Sequence, residues 1–271
     1  MENLFKVIGG TMWAVLGKIA DKLPAELADG LNRDPLAVDA MIKAADEHLN
    51  KNPFEISVEE TLNRARRAYQ EEGWGEIPQA DLTRLEATAP AWPKDRHAYR
   101  SLRIRFGEGD RGVDLTFECH VARIKSVFTE KEFWRWKHLH SGKVPYKGKP
   151  VERLRLLNGN HTHKPIIEWV IVDLSTHRKR ESVTAVRGPK SLADELLVLA
   201  WSFPEMIRAI DYDKLPGLFA AGYEVNVPED AGEVWLHVVI VSWNHRHHQV
   251  SVDAFRRSNA NSDYSVPSLQ K

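Results

Sequence analysis

The chain has little cysteine. Its one cysteine among 271 residues, Cys119, excludes an internal disulfide framework. A thiolate zinc cluster needs several cysteines, so that is excluded too. The usage fits a reducing setting, and a cytoplasmic location is the expectation. Net charge is also missing, since 38 Lys and Arg balance 38 Asp and Glu. The strongly basic balance of a typical nucleic-acid binder is therefore absent. There is no phosphate-cradling loop with its lysine, no dinucleotide glycine fingerprint after a strand and no Gly-x-Ser-x-Gly elbow. The apolar stretch from Val7 to Gly17 is about ten residues, short of the roughly 20 that span a bilayer, so no transmembrane segment is expected. What precedes it is not strongly positive and no small-x-small cleavage site follows, which argues against a signal peptide.

What is present is a globular composition, 42% apolar and 28% charged, with length enough for two small domains or one large one. Nine tryptophans imply large aromatic packing or contact surfaces. The charge is unevenly spread. Residues 1–96 hold 12 Lys/Arg against 17 Asp/Glu, and the remainder 26 against 21, so the halves carry −5 and +5. The positive part allows at most weak, salt-sensitive contact with nucleic acid, because few phosphates could be neutralised.

The first third has helical periodicity. Leu4, Ile8, Met12, Val15, Ile19 and Leu23 recur at helical spacing. Asp34-Pro35 opens a second helix, with a cap and a proline at the first position, and Val38, Met41, Ile42, Ala45 and Leu49 form its stripe. Ser57-Val58-Glu59-Glu60 is a capping box, followed by Val58, Leu62, Ala65 and Tyr69 and ended by Gly73. This predicts a three-helix unit within a helical region 1–85. The patternless "EATAPAWPKD" then marks a linker over 86–96.

From His97 the period shortens to two. Leu102, Ile104 and Phe106 alternate, and so do Leu115, Phe117, Cys119 and Val121. Joined by "GEGDRG", they predict an antiparallel hairpin. Thr129–Glu132 resembles a second capping box, predicting a short helix closed by Gly142 and carrying His138 and His140 near its end. Strands are expected around Asn158-Gly159, a helix capped by Ser191 running to about Trp201 and restarted at Pro204, and further strands over Tyr223–Val227, Glu233–Trp243 and Val250–Phe255. The expectation is an α+β protein: the helical unit, then a mostly antiparallel sheet domain with a few packed helices over 97–256, and a disordered tail over 257–271.

Five of the twelve histidines fall in "LLNGNHTHKP" and "SWNHRHHQV". Asn-Gly favours a two-residue turn, which would set Leu156 opposite His161 and Leu154 opposite His163. Both imidazoles would then lie on an apolar face. A strand His-x-His pair is a half-site for a divalent metal such as zinc, iron or manganese. Glu118 and His120, sharing one face of the predicted 115–121 strand, are the candidate remaining ligands, with His237 a further option. Such a set would suit metal-assisted hydrolysis. His245, His247 and His248 instead fall at a solvated hairpin tip. His237 interrupts an apolar strand and should be buried, and Cys119 should be a buried thiol. Basic clusters at Arg64/Arg66/Arg67, Arg178/Lys179/Arg180 and Arg256/Arg257, with Trp134, Trp136 and Trp243, offer the nucleic-acid alternative. The leading expectation is a binding or structural interaction module, with a protein among the candidate partners and no recognisable catalytic apparatus. Metal-dependent hydrolysis and nucleic-acid association are the two alternatives.

Overall fold

A computed structural model describes residues 52–106, 112–156, 165–174, 182–186, 191–212, 215–229, 235–258, 260 and 263–269. The first two predicted helices lie outside these residues. So does the start of the chain as far as Lys51, and the larger unit, Asn52–Lys271, is described by itself.

The larger unit opens with α1 (Val58–Glu71) and α2 (Gln79–Ala87). The Ser57 hydroxyl caps α1, accepting from the Glu60 amide at 3.0 Å. Only half of the predicted box forms, because the Glu60 carboxylate turns to Arg64 and Arg67 instead. Gly73, at φ +67°, ends the helix as expected. The Trp74 amide reaches back to the Tyr69 carbonyl at 2.8 Å and the Gly73 amide to Gln70 at 3.3 Å, the paired bonds of a Schellman ending.

The strands follow: β1 (Ala98–Arg105), β2 (Phe133–Arg135), β3 (Lys143–Tyr146), β4 (Lys149–Glu152), β5 (Leu154–Leu156), β6 (Ile166–Asp173), β7 (Gly217–Val225), β8 (His237–Asn244), β9 (Gln249–Arg256), β10 (Tyr264–Ser265) and β11 (Ser268–Leu269). Helix α3 (Gly112–Phe128) comes between β1 and β2, and α4 (Val183–Val186), α5 (Asp194–Ser202) and α6 (Pro204–Arg208) come between β6 and β7. Among the described residues three sheets result. One has the order β1-β6-β11, a six-stranded one runs β10-β7-β8-β9-β2 with β5 also on β7, and β3 pairs β4. All pairings are antiparallel except β10 with β7 and β2 with β9. The fold is α+β with antiparallel sheets.

Every residue of α5 is buried, and this helix lies against β1 and α3. Leu62 and Leu85 of the first helices share one core with Ile104, Phe117, Leu197 and Val239. Pro90 and Trp92, in the stretch read as a linker, join the same packing. The Pro90 carbonyl accepts from Arg100 at 3.0 Å, and Trp92 meets Phe203 edge-on at 6.2 Å.

Several local expectations are corrected. The 115–121 segment is not a strand hairpinned to β1 but part of helix α3. Its alternation is also compatible with a helical stripe, and Phe117, Val121, Ile124 and Phe128, all buried, extend that stripe through 17 residues of helix. The longer period wins because it buries more apolar surface. Thr129–Glu132 opens no helix. Thr129 is left-handed at φ 64°, and the chain enters β2, where the Glu132 carbonyl accepts from the Val250 amide at 2.7 Å. His138 and His140 therefore lie outside any helix. Strands β5 and β6 do not pair with each other. β5 pairs β7 and β6 pairs β1, in different sheets. Asn158-Gly159, His161 and His163 lie outside the described residues. Ser191 bridges Ser268 rather than capping α5, whose N-cap is Ala193. The predicted tail is also corrected, since β10 and β11 pair with β7 and β6 and Val266 is buried. The 244–249 hairpin is as expected, with His245, His247 and His248 exposed at its tip.

Candidate functional site

Helix α3 separates the predicted ligands Glu118 and His120. Two residues apart on a helix, they point about 200° apart rather than to one face. Each has its own partners. Glu118 takes a two-pronged bond from Arg135, at 2.7 Å on both oxygens, and accepts from the Ser141 hydroxyl at 2.7 Å. Burial raises its pKa, but Arg135 and Ser141 outweigh that and hold the carboxyl below its ordinary value. His120 is fully buried. Its Nε2 meets the Ile104 carbonyl at 2.8 Å and its Nδ1 accepts from Trp201 Nε1 at 3.3 Å. That pair of partners requires the neutral ring with its proton on Nε2. Burial lowers its pKa to about 4. Among the described residues no three His, Cys, Asp or Glu side chains converge as a metal site would require. His237 is buried on β8, with its ring 6.1 Å from Trp136. Cys119 is only partly buried, and burial pushes its thiol up to about 11. Of the three tryptophans proposed for base stacking, Trp243 is buried, Trp136 is half-buried and Trp134 is exposed.

A cluster of buried charge joins α5 to β1. In "RIR", Arg103 and Arg105 share one strand face, and "DELLVLAW" places Asp194 and Glu195 in the first turn of α5. Arg105 Nε donates to Asp194 at 2.6 Å. Arg103 Nε donates to Glu195, and its Nη1 to Glu168 at 2.5 Å. Tyr223 donates its hydroxyl to Asp194. Tyr223 lies in an irregular stretch of β7, where the register with β8 slips between Ala220 and Val225. There the Gly222 amide bonds the Leu192 carbonyl at 2.7 Å. Burial, reinforced by Glu195, raises the Asp194 pKa against the pull of Arg105. Burial would also raise Glu195, but Arg103 and Arg105 hold it below its ordinary value. Asp194 and Glu195 are 1% and 2% exposed. The cluster is closed to substrate and sets the seating of α5 on β1. The sequence signal for it was a pair of adjacent acids opening an otherwise apolar helix.

An open cavity of about 440 Å³ lies beside this cluster, between α1, α2 and the paired ends of β1 and β6. Tyr69, Trp74 and Phe106 form its aromatic side. The rings sit 5.6 Å (Tyr69–Trp74), 5.9 Å (Tyr69–Phe106) and 4.9 Å (Trp74–Phe106) apart. The Schellman ending of α1 is what folds Trp74 back onto Tyr69. Phe106 is fixed by its amide, which donates to Thr116 Oγ1 at 3.1 Å. Glu76, Asp81 and Glu168 supply carboxylates, and Arg84 is the one lining cation among the described residues. Arg84 Nη2 is engaged already, by Asp81 at 2.8 Å and the Ile167 carbonyl at 2.7 Å. Glu168 lies opposite Arg103 in the β1–β6 register, so the cavity adjoins the buried ionic cluster through one ion pair.

No protein-family model, curated protein or solved structure matches the chain. The reading of its function rests on these residues alone.

Proposed function

We propose that the protein is a binding module whose ligand is an organic cation held in the aromatic cavity. The supporting observation is the combination of three aromatic rings with three carboxylates, of which Asp81 pairs with Arg84 and Glu168 with Arg103, while Arg84 is the one cation among the described lining residues. Ring faces attract cations through their quadrupoles, most strongly at tryptophan, and each such contact is worth about 0.5–2 kcal/mol. A volume of about 440 Å³ falls within the ordinary range for small-ligand pockets. Glu76 and Glu168 would give the cation its charge partners, and Trp74 its aromatic face. A divalent metal on His161 and His163 would need its remaining ligands elsewhere than Glu118 and His120, whose oxygens and nitrogens already have protein partners.

The test is calorimetric titration of the full chain with tetramethylammonium and with ethylguanidinium, against tert-butanol as a neutral match in shape. Both cations should bind and the alcohol should not. Trp74→Leu and Glu168→Gln should each weaken cation binding by about tenfold. Equal binding of tert-butanol, or affinity unchanged in both variants, refutes the reading.

A further inference from the structure

A second cavity, of about 220 Å³, lies on another side of α1 and is independent of the cation pocket. It is lined by Arg64, Arg67, Arg123 and Trp201, together with Glu60 and Glu205. Helical spacing puts Glu60, Arg64 and Arg67 on one face of α1, and Arg123 comes from α3. The three guanidiniums are unequally satisfied. Arg64 Nε and Arg67 Nη2 both share one oxygen of Glu60, at 2.8 and 3.2 Å, and Arg64 Nη1 also donates to the Ser202 carbonyl and pairs with Glu205 at 3.5 Å. Arg123 donates through Nη1 to Glu71 at 2.5 Å and Glu72 at 3.3 Å. Its side chain is only 10% exposed, yet its buried Nε has no acceptor among the described residues. Arg123 lines the cavity with its hydrogen bonding incomplete, and a turn of the guanidinium would bring a free donor to a ligand oxygen.

The class of anion follows from what is already there. A carboxylate, that of Glu60, already bridges Arg64 and Arg67, so a monocarboxylate ligand would only exchange like for like. A tetrahedral dianion brings more charge and more acceptor oxygens, enough to engage three guanidiniums from two helices. Trp201, Val127 and Pro204 supply an apolar wall for an organic substituent. We propose that this cavity binds a phosphomonoester, with Arg64, Arg67 and Arg123 on the phosphoryl oxygens and Trp201 against the organic group.

The experiment titrates the full chain with phenyl phosphate, inorganic phosphate and benzoate, followed by tryptophan fluorescence and calorimetry. Phenyl phosphate should bind most tightly, inorganic phosphate more weakly for want of the Trp201 contact, and benzoate least. Arg123→Gln should weaken phenyl phosphate by about tenfold or more. Glu60→Gln removes the resident competitor and should tighten it by about threefold. This second variant keeps the test sharp even if the loss of Arg123 disturbs folding. Benzoate binding as tight as phenyl phosphate, weaker binding in Glu60→Gln, or no phosphate-dependent signal from folded wild-type protein at millimolar ligand overturns the proposal.

Discussion

His120 makes a specific demand on pH. Its ring is fully buried among Trp74, Phe106 and Trp201, and it donates from Nε2 and accepts at Nδ1. Protonation would destroy the acceptor and leave a charge without water, which is why burial lowers the pKa from 6.5 to about 4. Between those two values the unfolded chain binds a proton that the folded chain does not. Stability must therefore be fully present above about 6.5 and fall as the pH drops toward about 4. Each tenfold change in proton affinity is worth about 1.4 kcal/mol, so the loss from this one group is about 3 kcal/mol across that window. In a unit of this size that corresponds to a drop in Tm of roughly 6–12 °C. Urea unfolding at pH 7, 5.5 and 4 measures it. Other groups titrate in the same range, so the decisive quantity is the difference between wild type and His120→Gln. The variant will be less stable at pH 7 but should lose less on acidification, by about 3 kcal/mol. Parallel pH profiles for the two proteins would refute the reasoning.

Tyr223→Phe leaves the buried Asp194 carboxylate without one of its donors and should cost about 1.5–3 kcal/mol in urea unfolding, as hydrogen bonds to charged groups do. A loss under about 0.5 kcal/mol would mean that the contact is not made. Gly222→Ala puts a methyl 2.9 Å from the Ala193 Cβ and 2.9 Å from the Leu192 carbonyl oxygen, so it should cost about 1–3 kcal/mol through overpacking. Thermal melting of the variant checks this, and an unchanged Tm counts against the close approach. Cys119, with its thiol pushed up to about 11, should react with iodoacetamide at pH 7.5 much more slowly than free cysteine, and faster only on unfolding in urea. His247→Ala, at the exposed tip, should change stability by less than about 0.5 kcal/mol.

What the sequence determined by itself were the features that local chemistry controls. The Ser57 cap, the Gly73 ending of α1, the helix restarted at Pro204 and the solvated 244–249 tip all follow from groups within a few residues of one another. The α+β class with antiparallel strands was legible for a similar reason, since periodicity reports which face of an element is buried. Tertiary structure alone decided the rest. Residues 115–121 satisfy both periods, and only packing, chiefly against α5, selects the helix. That choice sends Glu118 to Arg135 and His120 to Ile104 and Trp201, undoing a pairing drawn from strand parity. The buried cluster joins residues about ninety positions apart, Arg105 and Asp194, and the aromatic cavity takes Tyr69 and Glu168 from distant segments. No local pattern encodes such contacts, because buried charges choose partners by what the completed core leaves within reach and out of water.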